Sequence, residues 1–220
     1  MSILEAKEIV YTYHTKYQRI PALCGVSCSF DPGKLYAIIG SSGGGKTTLL
    51  SLLAGLDLPE SGQVLYCGVS TAALNRNEYR RKNVSVVYQS FNLFPLLNAL
   101  ENVMVPMGLN RVSEKEAKIR ARQLLQSVGL PQTTERQFPK MMSGGEQQRV
   151  AIARALASEA PLILADEPTG NLDTENSNHI VDILQSLAHE QNRCVIVITH
   201  DPGVAERADT VLRLVDGRLV

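Results

Sequence analysis

The stretch Leu35-Tyr36-Ala37-Ile38-Ile39-Gly40-Ser41-Ser42-Gly43-Gly44-Gly45-Lys46-Thr47 joins a short apolar run to a glycine-rich loop, and Lys46–Ala54 continues it in a helical pattern. The loop fits G-x-x-x-x-G-K-[ST] and lies where that pattern has meaning, after a strand and before a helix. Glycines let the backbone curl until successive N–H groups face a phosphate, and the helix N-terminus adds the positive end of its dipole. Lys46 then reaches the β- and γ-phosphates, and Thr47 offers a hydroxyl to Mg²⁺. A plain Gly/Ser linker has no need of Lys-Thr at that point. The unit predicts a phosphate-loop nucleotide site.

Two further stretches gain meaning from this loop. Leu162-Ile163-Leu164-Ala165 is an apolar run that ends in Asp166-Glu167. Buried as a strand, it would aim both carboxylates at the end of a sheet, beside the phosphate loop. Asp166 is suited there to hold Mg²⁺ through water, and Glu167 to take the proton of the attacking water, a role worth ~10²–10⁴ in rate. A strand ending in Asp-Glu is common, and the upstream loop is what favours the functional reading. Between the two lies Met142-Ser143-Gly144-Gly145-Glu146-Gln147-Gln148-Arg149. Ser143 can cap the helix that follows, and the glycines bare its first N–H groups, a second helix start prepared for an anion. Taken alone, an ordinary capped helix explains this stretch as well.

Apolar, strand-like runs come early and late: Ile9–Tyr13, Ala22–Phe30, Leu35–Ile39, Val64–Tyr66 and Val84–Tyr88, then Leu162–Ala165, Val195–Ile198 and Val211–Val215. Separated by helical patterns, they predict a layered α/β core with a largely parallel sheet. The middle is different. Ser113 and Glu116 read as a capping box, Ala117, Ala121, Leu124, Leu125 and Val128 recur at helical spacing, and Gly129 and Pro131 stop the helix. Another helix follows Ser143. Residues from about Ser90 to Ala160 therefore read as a mainly helical insert. Asp31-Pro32-Gly33 breaks the chain before Leu35, and Asp216-Gly217 reads as the turn of a terminal hairpin.

Composition narrows the function. The 220 residues suit one large domain with a subdomain inserted in it, and 44% apolar residues supply a substantial core. Lys+Arg and Asp+Glu both number 22, so no global charge attracts nucleic acid. The N-terminus has no apolar run long enough for a secretory signal, and no run reaches the ~20 apolar residues of a membrane span. The four cysteines, Cys24, Cys28, Cys67 and Cys194, are scattered without a CxxC pair and read as small buried hydrophobes in a reducing compartment.

Phosphate loop, Ser143-Gly144-Gly145-Glu146-Gln147-Gln148-Arg149 and strand-Asp166-Glu167 occur in that order, and together they resemble the nucleotide-binding subunit of ATP-binding-cassette (ABC) transporters. The Ser-Gly-Gly stretch matches the family's signature motif, and the similarity covers essentially the whole chain. Glu167-Pro168-Thr169-Gly170-Asn171-Leu172-Asp173, with Glu146 after the signature glycines, is similar to the lipoprotein-release and macrolide-exporter branch. The resemblance implies a P-loop NTPase core of RecA-like type with a mainly parallel sheet, an N-terminal antiparallel β part, and an inserted α-helical subdomain carrying the signature. One domain would fill 1–220, with the core at about 1–89 and 161–220 and the helical part at about 90–160.

It also implies roles. Gly40, Ser41, Ser42, Gly43, Gly44, Gly45, Lys46, Thr47 and Thr48 would hold ATP. Tyr13 matches the aromatic that stacks on adenine, with Tyr11 and Tyr17 close by as rivals. Gln89 matches the glutamine that touches Mg²⁺ or the attacking water and senses the membrane partner. Thr47, Gln89 and Asp166 form the implied Mg²⁺ set, and Lys46, Gln89, Glu167 and His200 the catalytic one. His200 follows the strand Val195–Ile198 as the family's switch histidine. Ser143, Gly144, Gly145, Glu146 and Asp173 would meet the ATP of a second subunit, and Asn171-Leu172-Asp173 would cross the interface between the two.

Implied partners are a second ATPase subunit, paired head to tail when ATP is bound, and an integral membrane permease; nucleic acid is not among them. The implied place is the cytoplasmic face of the membrane. A soluble relative acting on DNA or ribosomes usually has two cassettes or a long coiled coil before the signature, and no heptad run separates Thr47 from Ser143. A regulator without turnover has no need of Lys46, Glu167 and His200 together. Three positions depart from the family. Gly44 stands where serine is commoner, which loosens the phosphate loop, and Met142 and Glu146 replace leucine and glutamine. Finally, Phe91–Leu97 is unusually apolar for a loop entering the insert. Those residues either pack inside it or line a groove for a short helix of the membrane protein.

Overall fold

A computed structural model describes residues 2–170 and 172–220; Asn171, expected in the interface loop, lies outside the described residues. The chain begins with a long antiparallel pair, β1 (Leu4–His14) and β2 (Arg19–Phe30), and enters β3 (Leu35–Ile39) and α1 (Lys46–Leu53) through the phosphate loop. β4 (Ser61–Tyr66), β5 (Val69–Ser70), α2 (Arg76–Lys82) and β6 (Val84–Val87) follow. Next come three helices, α3 (Ala99–Leu109), α4 (Glu114–Ser127) and α5 (Gly144–Leu156). The chain then returns through β7 (Leu162–Asp166), α6 (Thr174–His189), β8 (Cys194–Ile198), α7 (Pro202–Glu206), β9 (Thr210–Val215) and β10 (Arg218–Leu219).

Two sheets result. One is four-stranded and antiparallel, in the order β2-β1-β4-β5. The other is six-stranded, in the order β10-β9-β3-β8-β7-β6, and parallel throughout except for the β9–β10 hairpin. The antiparallel N-terminal part, the mainly parallel sheet and the helical insertion all agree with the expected fold class.

Strands covered on both faces read as unbroken apolar runs, and the pleat sorts their side chains. Leu35, Ile163, Ala165, Val195 and Val197 face a core shared with α3, α4, α5 and α6. Tyr36, Ile38, Leu162, Leu164, Cys194, Ile196 and Ile198 face a second core against α1 and the antiparallel sheet. A sheet held on both sides leaves only its strand ends open, and there the loops meet.

Some local expectations need correction. Ser113 caps α4 by accepting from Glu116 N–H at 3.4 Å, but only that half of the capping box forms; the Glu116 carboxylate faces Arg120 instead, at 3.8 Å. The cysteines are all free but not all buried. Cys194 is buried, Cys24 and Cys28 are half-buried, and Cys67 is exposed in the β4–β5 turn. Burial pushes the Cys28 and Cys194 thiols up to about 12, which keeps both unreactive. Asp216 and Gly217 do turn β9 into β10, with φ of 46° and 73°, the left-handed pair that a tight hairpin needs. Among the described residues, no helix is long and apolar enough to cross a membrane.

Candidate nucleotide site

β3 delivers the chain to Gly40, and the loop curls to start α1 at Lys46, with Gly45 at the helix N-cap position. Gly45 has φ of +95°, and a Cβ there would stand 2.3 Å from the Ala22 carbonyl oxygen, so no other residue fits. Lys46 is nearly buried; its ammonium donates to the carbonyls of Gly40 at 2.8 Å and Ser41 at 2.9 Å and spans the loop. A cation thus sits over a glycine-rich loop at a helix start, an arrangement that attracts phosphate.

β7 ends next to this loop. The Thr47 hydroxyl donates to Asp166 Oδ2 at 3.2 Å. Burial pushes the Asp166 carboxyl above its ordinary range, and the charge of Glu167 adds to the push, against the Thr47 hydrogen bond and Lys46. Hydroxyl and carboxylate oxygens with unfavourably buried negative charge suit a hard divalent cation such as Mg²⁺.

Glu167 has φ of 48°, left-handed for a residue that carries a Cβ, and its N–H donates to Ile198 O at 2.9 Å. Strain of this kind costs about 1–3 kcal/mol and gathers at functional sites. It turns the carboxylate toward His200, whose Nδ1 lies 2.9 Å from Oε1 and whose N–H donates to Oε2 at 3.3 Å.

These groups share a cleft of about 560 Å³. Of the residues expected to hold ATP or Mg²⁺ or to act in catalysis, Tyr13, Gly40, Ser42, Gly43, Gly45, Lys46, Thr47, Thr48, Gln89, Asp166, Glu167 and His200 line it. Ser41 and Gly44 belong to the loop but are not among the residues that line the cleft. Among the three tyrosines, Tyr13 lines the cleft, its hydroxyl 3.0 Å from Thr48 Oγ1. Tyr11 meets the Tyr13 ring edge-on at 5.1 Å and donates to Asp57 Oδ2 at 2.5 Å, and that bond pushes its hydroxyl up to about 12. Tyr17 stands 86% exposed, outside the cleft lining. Sequence reading missed the apolar wall of Ile20, Pro21, Ala22 and Ile198. Ile20 carried a signal, an apolar residue near Tyr13 in the paired strand.

Ser143, Gly144, Gly145, Glu146 and Asp173 do not line this cleft. Ser143 caps α5 in a full capping box: its hydroxyl accepts from Glu146 N–H at 3.2 Å, and its own N–H donates to Glu146 Oε2 at 2.8 Å. Asp173 caps α6 through Asn176 N–H at 2.8 Å, and the Asn176 bonds hold its carboxyl below the ordinary range. Arg149 of α5 donates to Asn176, which joins the two helix starts.

Residues 23–170 match the family described as ABC transporter. The chain belongs to the ABC transporter family. It is 43% identical over 217 residues to the uncharacterized ABC transporter ATP-binding protein YclH of Bacillus subtilis, covering 99% of this chain and 95% of that one. It is 42% identical to lipoprotein-releasing system ATP-binding protein LolD 2 of Rhodopirellula baltica, covering 99% and 88%. The ATP-binding cassette MJ0796, solved as a dimer in a post-hydrolysis state bound to ADP and Pi, has a TM-score of 0.93 with this chain at 37% identity, covering 98% and 96%. This ABC chain is an ATP-binding subunit and an ATPase of the lipoprotein-release and macrolide-exporter likeness that its motifs indicated.

In this ABC subunit a second cleft, of about 280 Å³, lies between the sheet and the helices. Leu56, Arg80, Tyr88, Pro106, Leu109 and Arg154 are among the residues lining it, and none of Phe91–Leu97 is. That apolar stretch is tied down nearby. Buried Asn102 accepts from Phe94 N–H and donates to the carbonyls of Phe94, Leu97 and Asn98, and Arg154 donates to the carbonyls of Phe91 at 2.9 Å and Asn92 at 2.6 Å. Phe94 stays 46% exposed and Leu96 87%, whereas Leu93 packs against the core shared with the helices, so the stretch is only partly packed inside the helical part.

Proposed function

We propose that the chain works as half of a head-to-tail pair, in which the phosphate loop of one copy and the Ser143-Gly144-Gly145 helix start of the other enclose one ATP. One observation carries this reading: the cleft lined by Lys46 and Glu167 contains no residue of the Ser143–Glu146 stretch, so a single copy holds only half of the anion-binding groups. Lys46 and the loop N–H groups bind the phosphates, and the Tyr13 ring meets the base. Glu167 accepts the proton of the attacking water, and His200 fixes the direction of its carboxylate. Thr47, Asp166 and Gln89 would hold Mg²⁺, which supplies positive charge to the β- and γ-phosphates.

ATP then acts as a ligand that shifts an open–closed population, and loss of the γ-phosphate loosens the pair. The parts that move are the core at about 1–89 and 161–220 and the helical arm at about 90–160. A permease at the cytoplasmic face of the membrane takes up the motion by docking in the cleft lined by Leu56, Tyr88, Pro106 and Leu109. Export, lipoprotein release and force transmission all use such a motor, and the LolD likeness favours lipoprotein release.

Mixing two inactive chains tests the shared site. Lys46→Ala disables the phosphate loop, and Ser143→Arg crowds the opposite ATP. In a pair built from one of each, one composite site keeps both Lys46 and Ser143. The mixture should hydrolyse ATP although neither variant does alone. A mixture as inactive as its components places the whole site within one chain and defeats the proposal.

A further inference from the structure

The Asp216-Gly217 turn belongs to the β9–β10 hairpin, yet it touches the phosphate loop. Gly217 N–H donates to the Gly44 carbonyl at 3.2 Å, and the Gly217 carbonyl accepts from Cys24 N–H at 2.8 Å. The turn thereby links the middle of the loop to β2. The approach leaves no room for a side chain at Gly217 or Gly40 and little at Gly44. A Cβ on Gly217 would stand 2.7 Å from the Ala22 carbonyl oxygen, on a residue whose φ is +73°. On the loop side, a Cβ on Gly40 would stand 2.0 Å, and one on Gly44 3.3 Å, from the Leu214 carbonyl oxygen at the end of β9. Loop and hairpin meet as bare backbone against bare backbone.

Gly44 has reason to need such a seat. Gly43, Gly44 and Gly45 are three successive residues without a Cβ, the backbone with most freedom to lose on ordering. Gly44 N–H closes back onto Ser41 O at 3.2 Å, a bond within the loop, whereas its carbonyl is held from outside by Gly217.

We propose that the Asp216-Gly217 turn is a positioning element for the phosphate loop, seating Gly44 so that the loop N–H groups already face the phosphates before nucleotide arrives. The proposal rests on the reading of Gly40–Thr47 as the phosphate site. Holding a loop in its bound shape removes part of the ordering cost of binding. The turn therefore acts on ATP and ADP alike, since both carry the phosphates that the loop cradles. Neither Asp216 nor Gly217 lines the cleft that holds Glu167 and His200, so the chemical step at saturating ATP is expected to be untouched.

The test removes one donor and keeps the shape: an amide-to-ester replacement with glycolate at position 217. An ester at Val220, whose N–H donates to Arg213 O at 3.0 Å, removes a bond internal to the same hairpin and serves as control. Affinity for fluorescent ATP and ADP analogues should fall about threefold to tenfold in the 217 ester, the scale of one backbone hydrogen bond. KM for ATP should rise by the same factor while kcat stays within about twofold of the parent, and the Val220 ester should bind as the parent does. Gly217→Ala, made by ordinary mutagenesis and assayed well below its melting temperature, should show the same split. Parent affinity in the 217 ester, equal losses in both esters, or a loss confined to kcat would each overturn the proposal. A Lys46→Ala chain that binds nucleotide like the parent would instead overturn the phosphate-site reading on which it rests.

Discussion

His200 holds both oxygens of the Glu167 carboxylate, with Nδ1 2.9 Å from Oε1 and the backbone N–H 3.3 Å from Oε2. Imidazole and carboxylate come from the ends of neighbouring parallel strands, β8 and β7, so the sheet itself sets their separation. Glu167→Gln retains the shape and the hydrogen-bonding partner but removes the base. Turnover should fall by about 10²–10⁴, the worth of a positioned proton acceptor, while ATP binding persists. Unhydrolysed ATP should then hold the pair together, seen as a shift to larger size on gel filtration. Turnover near the parent rate would take Glu167 out of the role of base.

Lys46→Ala should act on binding and turnover together. The Lys46 ammonium is the loop's own cation, and it bridges the carbonyls of Gly40 and Ser41. Charge-assisted hydrogen bonds contribute about 1.5–3 kcal/mol, so nucleotide affinity should drop roughly tenfold to a hundredfold. Titration with a fluorescent ATP analogue measures this directly. An unchanged affinity would mean that the loop does not receive phosphate.

The sequence showed the core strands because burial on both faces makes them continuous: Leu162–Ala165 reads as β7 without help from periodicity. The phosphate loop and the Ser143 helix start were legible because each is a local device whose parts are neighbours in the chain. Other elements were hidden for separate reasons. Pro106 interrupts the helical reading of α3, although α3 tolerates it. α2 is short and charged, and buries only Tyr79. α6 carries a local signal as well, with Asp173 as its cap and Ile180, Val181, Leu184, Leu187 and Ala188 at helical spacing. What no local pattern carries is contact across the fold. Ile20 joining the cleft wall, Arg154 gripping the Phe91 and Asn92 carbonyls, and Gly217 reaching Gly44 all depend on how distant segments pack.

Asp166→Asn should make the nucleotide-free chain more stable and less active. Burial raises the folded-state pKa of Asp166 above its ordinary value. A group shifted in that direction contributes stability only below its unfolded pKa, and loses it as pH rises through the folded value. At neutral pH the ionised carboxylate therefore works against folding, and the amide relieves this. The melting temperature of Asp166→Asn should exceed that of the parent at pH 7, with the gap closing as pH falls toward about 4, where the parent carboxyl is protonated in either state. Mg²⁺-dependent hydrolysis should fall in the same variant. A variant that melts below the parent at pH 7 would show that the bond from Thr47 outweighs the burial.

The membrane partner should be lost by changing Leu109 rather than the core. Leu109 is the last residue of α3, 61% exposed, and lines the cleft between sheet and helices together with Pro106 and Tyr88. An exposed apolar residue lining a cleft of mixed apolar and basic character costs little to replace as far as folding is concerned, but it is the kind of anchor on which an interface depends. Leu109→Glu should keep the melting temperature and the basal hydrolysis of the isolated chain, since Leu109 is not among the residues that line the nucleotide cleft. Co-purification of the permease from membranes should fail. Phe94→Glu provides the contrast. Phe94 lies outside the cleft lining, with the Arg154 guanidinium 5.8 Å from its ring centre, so its replacement should disturb the loop after Gln89 more than docking itself. If Leu109→Glu still holds the permease and Phe94→Glu releases it, the docking surface is the exposed Phe94–Leu96 edge and not the cleft.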